Sequence, residues 1–132
     1  MKVLVDTSVW SLALRRKSPD TAPQVSHLQN LIEADQPIFL AGVILMEILQ
    51  GIRNREQSVK IQRYLEAFPM LDLSRAGYLG AALLGSHCRS NGVQCNIVDI
   101  LIAQIAITHG CHLLTADQDF VRIAKHTELK LV

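Results

Sequence analysis

The sequence predicts an α/β fold, a three-layer α/β/α sandwich with a parallel central sheet of about four to five strands. Short apolar runs, of which Val3–Val5 is the first, have the composition of strands that are buried on both faces, and longer segments with helical periodicity separate them. Hydrophobic residues make up 49% of the chain and charged residues 19%, a balance typical of a sheet covered on both sides. The 132 residues are expected to form a single domain, 1–132.

The first half of the chain opens on the strand Val3–Val5, and a second apolar run follows Pro37. Between them, apolar residues recur at helical spacing from Val25 to Ala34, which indicates an amphipathic helix. The elements expected in this half are strands at Val3–Val5 and Ile38–Ala41 and helices at Val9–Arg16, Val25–Ala34, Val43–Gly51 and Arg55–Phe68.

The second half contains a long helix that Ser74 is well suited to cap and that the turn residues Asn91 and Gly92 end. Gly110 ends the following helix in the same way. The elements expected here are strands at Leu71–Leu73, Cys111–Thr115 and Leu129–Val132 and helices at Arg75–Ser90, Asp99–His109 and Gln118–Lys125.

Several classes of protein are excluded by composition. The longest apolar run, Ile38–Met46, stops at Glu47, well short of the roughly 18 residues that a membrane span needs. No secretory signal is visible, so a cytoplasmic protein is expected. The three cysteines contain no C-x-x-C pair, and the five histidines contain no i, i+4 pair, which argues against a disulfide framework and against a zinc site.

Asp6 stands where the first strand becomes a loop, followed by the small hydroxyl residues Thr7 and Ser8. The carboxyl ends of parallel strands form the crevice in which α/β proteins bind ligands, so an acid here is well placed for chemistry. The alternative is that the side chain of Asp6 simply caps the next helix.

Glu47 lies inside a helical segment whose neighbouring positions one turn away, Val43, Ile44 and Ile48, are apolar. A carboxylate held against such a face is unstable unless a cation meets it. The sequence leaves two interpretations open, a half-buried Glu that reaches an Arg and a functional acid.

Three further acids follow later strands and begin later helices. Asp99 is surrounded by isoleucine, leucine and valine, while Asp117 and Asp119 follow the run HLLT. Each could be an ordinary helix cap or first-turn acid. Together with Asp6 and Glu47, however, they form a set of oxygen ligands without His or Cys, which selects Mg²⁺ or Mn²⁺.

The runs VDTSVW, MEILQG, IVDILIAQIA and LLTADQDF, in this order, resemble the signature segments of PIN-domain nucleases, and in particular of VapC-type toxins of bacterial toxin-antitoxin pairs. The resemblance covers nearly the whole chain. It implies four acids that bind Mg²⁺ or Mn²⁺ and carry catalysis, and by motif these are Asp6, Glu47, Asp99 and Asp117. It further implies that Ser8 and Thr115 support the site and that Asp119 is an auxiliary acid. Ala116 and Gln118 depart from the polar or basic residues of many relatives.

The resemblance implies an endoribonuclease that cleaves single-stranded or looped RNA, with tRNA among the candidate substrates. It also implies a homodimer that a cognate antitoxin neutralises. One alternative is a catalytically silent PIN-like binding module, but the presence of all four acids argues against it. Another is a receiver-like phosphoacceptor, which needs an early acidic pair and a late Lys, and neither is visible in the sequence.

Net charge at first argues against a nucleic-acid ligand, because 13 basic and 12 acidic residues leave only +1. Setting apart the five candidate site acids leaves 7 acids against 13 bases, so the remaining surface carries +6. Basic side chains that could contact phosphate, or could equally be solvated helix ends, are Arg15, Arg16, Lys17, Arg53, Arg55, Arg89 and Arg122.

Overall fold

The computed structural model describes residues 1–14 and 22–132. Within these residues the strands are β1 (Val3–Val5), β2 (Ile38–Ala41), β3 (Met70–Leu71), β4 (His112–Leu114) and β5 (Lys130–Leu131). The helices of the same residues are α1 (Thr7–Ala13), α2 (Pro23–Glu33), α3 (Gly42–Gln50), α4 (Arg55–Leu65), α5 (Arg75–Ser90), α6 (Ile97–His109) and α7 (Gln118–His126).

The five strands form one sheet in the order β3-β2-β1-β4-β5, and every neighbouring pair is parallel. All three residues of β1 are buried, and successive side chains of a strand point to opposite faces, so both faces of the sheet are covered. The predicted α/β/α sandwich with a parallel sheet is therefore confirmed.

The direction in which the chain adds strands reverses at β1. β2 and β3 are added on one side of it, whereas β4 and β5 are added on the other. Right-handed crossovers accordingly place α1–α4 and α5–α7 on opposite faces. The gap beyond the carboxyl ends of β1 and β4 is the switch point at which open α/β sheets bind ligands.

Four helices begin one or two residues earlier than the sequence predicted, among them α2 at Pro23 and α3 at Gly42. α1 begins at Thr7 rather than Val9, because the carbonyl of Asp6 already accepts hydrogen bonds from the helix. α6 begins at Ile97 rather than Asp99, because the side chain of Asn96 caps it. The predicted first helix also included Arg15 and Arg16, which lie outside the described residues. The predicted cap of α5 is present, since the Ser74 hydroxyl accepts a hydrogen bond from the backbone N–H of Gly77.

α5 and α6 pack closely because α5 presents small residues to its neighbour. A Cβ atom placed at Gly85 would lie 2.9 Å from Cδ1 of Ile100, and one at Gly80 would lie 3.0 Å from Nε2 of Gln104. This contact fixes the position of the first turns of α6 relative to the sheet. No helix in the described ranges has the length and apolar character to span a membrane.

Candidate active site

Asp6 projects from the carboxyl end of β1 and is almost fully buried. Its side chain does not cap α1. Instead, Oδ2 accepts two hydrogen bonds, from the Ser8 hydroxyl at 2.8 Å and from the Thr115 hydroxyl at 2.9 Å. The capping alternative for the Asp6 side chain is therefore wrong, and two hydroxyls from opposite ends of the sequence hold this carboxylate in place.

The same two hydroxyls connect β1 to the turn between β4 and α7. The backbone N–H of Ala116 donates to Oγ of Ser8 at 3.0 Å, and that of Asp117 donates to Oγ1 of Thr115 at 3.0 Å. Asp117 in turn caps α7 by accepting the N–H of Asp119 at 2.9 Å. This chain of bonds sets the position of Asp117 relative to Asp6.

Asp99 lies in the first turn of α6 and does not cap it, because Asn96 fills that role and accepts the Asp99 N–H at 2.8 Å. Only 8% of Asp99 is exposed, and within the described residues its Oδ2 has no hydrogen-bond partner. Burial, and after it the charges of nearby acids, together raise the pKa of Asp99 from 3.8 to about 6. In order of decreasing effect these acids are Asp117, Asp6, Asp119 and Glu47.

One carboxylate oxygen from each of Asp99, Asp117 and Asp119 lies within 4.8 Å of the other two. Asp119, expected only as an auxiliary acid, is thus part of the tightest group, whereas Asp6 and Glu47 act on Asp99 through their charge. A buried carboxylate oxygen without a donor, among like charges, is stable when a cation neutralises it. The donors are all hard oxygens, so the residues fit a Mg²⁺ or Mn²⁺ ion.

Glu47 is half-buried on α3, which contacts both α1 and α6. Its Oε1 accepts a 2.7 Å hydrogen bond from the hydroxyl of Thr7. No ion pair reaches Glu47 from the residues that the structure describes, so the interpretation as a Glu that meets an Arg is wrong for this part of the chain. Glu47 lies close enough to Asp99 for its negative charge to contribute to the raised pKa of Asp99, although it contributes least of the four acids.

The basic candidates differ in their surroundings. Arg53, Arg55 and Arg89 are exposed at or next to helix ends. Arg122 lies within α7 and forms an ion pair with Asp119. The predictions for Arg15, Arg16 and Lys17 lie outside the described residues.

Two supporting residues were missed by sequence reasoning. Thr7 holds Glu47, and Asn96 caps the helix that carries Asp99. The Asn96 cap had a detectable signal, since Asn is among the strongest N-cap residues and directly precedes an apolar helix. No sequence signal indicated the role of Thr7, because its hydrogen bond joins two helices that are distant in sequence.

Comparison with known proteins agrees with this geometry. The sequence profile of the PIN domain family matches residues 3–126. VapC ribonuclease Mb1587 from Mycobacterium bovis is 32% identical to this chain over 130 residues, which are 97% of this chain and 96% of the relative. Ribonuclease VapC11 from Mycobacterium tuberculosis matches with the same identity and coverage.

Solved structures share the fold. VapBC2 from Rickettsia felis, bound to a DNA fragment from its promoter, matches with a TM-score of 0.80 at 19% identity, over 100% of this chain and 98% of that one. VapBC-5 from M. tuberculosis, a member of the VapBC family of toxin-antitoxin systems, has a TM-score of 0.69 at 18% identity, over 99% and 97%. VapC20 from M. tuberculosis, a toxin that cleaves the sarcin-ricin loop, has a TM-score of 0.67 at 16% identity, over 96% and 98%.

These matches exclude the receiver-like alternative. They also agree with the order of the four signature runs along the sequence. The chain belongs to the PIN domain family, within the group of the VapC ribonucleases.

Proposed function

We propose that this protein is a Mg²⁺- or Mn²⁺-dependent endoribonuclease and the toxin of a toxin-antitoxin pair. The observation that carries the proposal is the buried Asp99 oxygen without a hydrogen-bond donor, in the midst of four other acids at the switch point of the sheet. Such an arrangement is costly for a purely structural role. It suits a site that binds a divalent ion and a phosphodiester.

The proposed metal ligands and catalytic residues are Asp6, Glu47, Asp99 and Asp117. These residues would hold the divalent ion, whose chemistry when bound would be to lower the pKa of a water and to offset negative charge on the phosphate. Hydrogen bonds from hydroxyl groups hold Oδ2 of Asp6 and Oε1 of Glu47, so both carboxylates are held in place before an ion binds. This reduces the reorganisation that ion binding requires.

Glu47 has a second role in this proposal. Its helix α3 contacts α6, which carries Asp99, and the Thr7 hydroxyl holds Oε1, so Oε2 can accept a hydrogen bond from the attacking water and orient it. Asp119 assists Asp99 and Asp117, with which it shares the 4.8 Å group of oxygens. The leaving oxygen of the RNA takes its proton from solvent.

The proposed substrate is single-stranded or looped RNA, with tRNA among the candidates. The relatives named above are ribonucleases, and VapC20 cleaves a looped RNA. Outside the five site acids the chain carries 13 bases and 7 acids, a surplus that favours phosphate. Exposed arginines at helix ends, Arg53, Arg55 and Arg89, are candidates for contacts with the RNA backbone.

The proposed partners are a cognate antitoxin and a second copy of the chain, in the cytoplasm. VapBC complexes with this fold support the antitoxin. Large apolar side chains on α5 support an association surface, because Tyr78, Leu79 and Leu83 are 57%, 63% and 73% exposed. Residues 1–132 are proposed to act as a single PIN domain.

The test uses the purified protein and end-labelled tRNA, with Mg²⁺, Mn²⁺ or EDTA. We expect cleavage with either metal, none with EDTA, and a loss of at least ~100-fold in Asp6→Asn and Asp99→Asn. Asp35→Asn is the matched control, since Asp35 is exposed at the opposite end of the sheet and has φ 57, which Asn tolerates. Cleavage that persists in EDTA, or in both site variants, contradicts the proposed metal site. Absence of cleavage by the wild type with either metal favours a silent binding module.

A further inference from the structure

Arg122 and Asp119 form an ion pair across one turn of α7, at the rim of the acidic pocket. Their side chains are 56% and 40% exposed. Asp119 also belongs to the group of three carboxylates that lie within 4.8 Å of one another. A guanidinium therefore already neutralises one of the acids next to which a divalent ion is proposed to bind.

Asp119 thus has two competing cations. An ion that draws on the Asp119 carboxylate weakens its attraction for Arg122, and the Arg122 guanidinium equally weakens the attraction of the carboxylate for an ion. Exposed ion pairs contribute little net stability, so this one can exchange its partner without disturbing the fold.

The pocket also needs a positive group that faces the substrate. Burial and the charges of surrounding acids raise the pKa of Asp99, and the charges of those acids repel an RNA phosphate. Among the residues described, Arg122 is the cation that directly contacts an acid of this pocket. The planar guanidinium binds a phosphate through two parallel hydrogen bonds, which an ammonium group does not.

We propose that Arg122 is a substrate-positioning residue that exchanges Asp119 for a phosphate of the bound RNA. The inference rests on the proposed nuclease function and extends it to one residue of the RNA-binding surface. Release of Arg122 by RNA frees Asp119 for the ion, and neutralisation of Asp119 by the ion frees Arg122 for RNA. The two binding events therefore favour each other, and by linkage the effect is reciprocal.

The test compares Arg122→Gln with Lys125→Gln, which removes the same charge from the next turn of α7. Calorimetric titration with Mn²⁺ alone should show roughly two- to five-fold tighter binding in Arg122→Gln, because the competing cation is gone. Titration with a labelled single-stranded RNA in EDTA should show weaker binding, with a salt dependence shallower by about 0.7 in slope. Lys125→Gln should change Mn²⁺ affinity less than Arg122→Gln does. Thermal melts check that both variants are folded.

A double-mutant cycle separates partner exchange from a general charge effect. In Asp119→Asn, Arg122 no longer needs to leave a carboxylate, so this change should improve RNA binding more in the presence of Arg122 than in the Arg122→Gln background. Additive effects, or Mn²⁺ affinities that match those of Lys125→Gln, overturn the role of Arg122 and leave the nuclease proposal standing. A wild-type protein that neither binds Mn²⁺ nor cleaves RNA overturns both.

Discussion

Thr7 on α1 donates a 2.7 Å hydrogen bond to Oε1 of Glu47 on α3. The bond crosses between two helices that begin at the carboxyl ends of adjacent strands, β1 and β2. A hydroxyl thereby holds a carboxylate that lies on an apolar helix face. Because the hydroxyl is uncharged, it does not neutralise the negative charge of Glu47, which remains available to a cation in the pocket.

Replacing Thr7 by Val should remove this bond while nearly preserving shape. Since the charge of Glu47 remains but its orientation is lost, we expect cleavage about 10-fold slower and a higher Mn²⁺ concentration at half-maximal rate. RNA affinity in EDTA should not change. Thr7→Ser keeps the hydroxyl and should behave like wild type. Normal cleavage in the Val variant with a loss confined to the Ser variant would mean that packing of the methyl group, and not the bond to Glu47, is what matters.

Glu47→Gln removes the charge and keeps the shape. Cleavage should fall sharply and require more Mg²⁺ or Mn²⁺, because the ion loses a charged ligand. RNA binding in EDTA should be at least as tight as in wild type, since one negative charge near the phosphate has gone. Glu66→Gln, an exposed change beyond the end of α4, is the control. A Glu47→Gln variant with normal cleavage and a normal metal requirement would assign Glu47 a structural role alone.

The raised pKa of Asp99 predicts how stability depends on pH. With a pKa of about 6 in the folded protein and 3.8 as its ordinary value, the folded state binds this proton more tightly than the unfolded chain does. Ionised Asp99 therefore destabilises the fold: the effect is absent below pH 3.8, grows up to about pH 6 and is complete above it.

Asp99→Asn should consequently melt at a higher temperature than wild type at pH 7.5 in EDTA, and the difference should shrink as the pH approaches 4. Added Mg²⁺ should raise the melting temperature of wild type more than that of the variant. Thermal melts from pH 4 to 8 measure both effects, with Asp35→Asn as the parallel control. A difference that stays constant with pH would show that the charge of Asp99 is not its cause.

Gly85 controls the approach of α5 to α6. A Cβ atom there meets Cδ1 of Ile100 at 2.9 Å, and the larger side chain of Val would also press on the rest of that residue. Gly85→Val should lower the free energy of unfolding by about 1–3 kcal/mol, whereas Ala82→Val, exposed on the same helix, should have a small effect. Urea titrations of both variants measure the difference. Equal effects would attribute the loss to the helix propensity of Val.

The fold was predictable because each strand and helix carries its own local pattern. β2 and α5 have the predicted bounds, Ile38–Ala41 and Arg75–Ser90. Other bounds were wrong by a few residues: β3 is Met70–Leu71 and not Leu71–Leu73, and α4 ends at Leu65 and not Phe68. The starts of α1 and α6 were also wrong, because Asp6 and Asp99 each offered a plausible cap. A cap depends on side-chain orientation, and the Asp6 side chain turns toward Ser8 and Thr115 instead.

The candidate acids were visible in the sequence because each is a charge placed where apolar residues are expected. Their mutual geometry was not visible. The close grouping of Asp119 and Asp117 with Asp99 depends on how α7 packs beside α6. Contacts of this kind join segments that are distant in sequence, so neither the periodicity nor the spacing of residues indicates them.

The reversal of strand order at β1 has a consequence for the cell that makes this protein. Asp6 and Glu47 leave the ribosome early, but they face Asp99 and Asp117 only after β4 has paired with β1, when most of the chain has been synthesised. A nascent chain that stops short of Asp117 therefore cannot assemble the site, because one of its acids is missing.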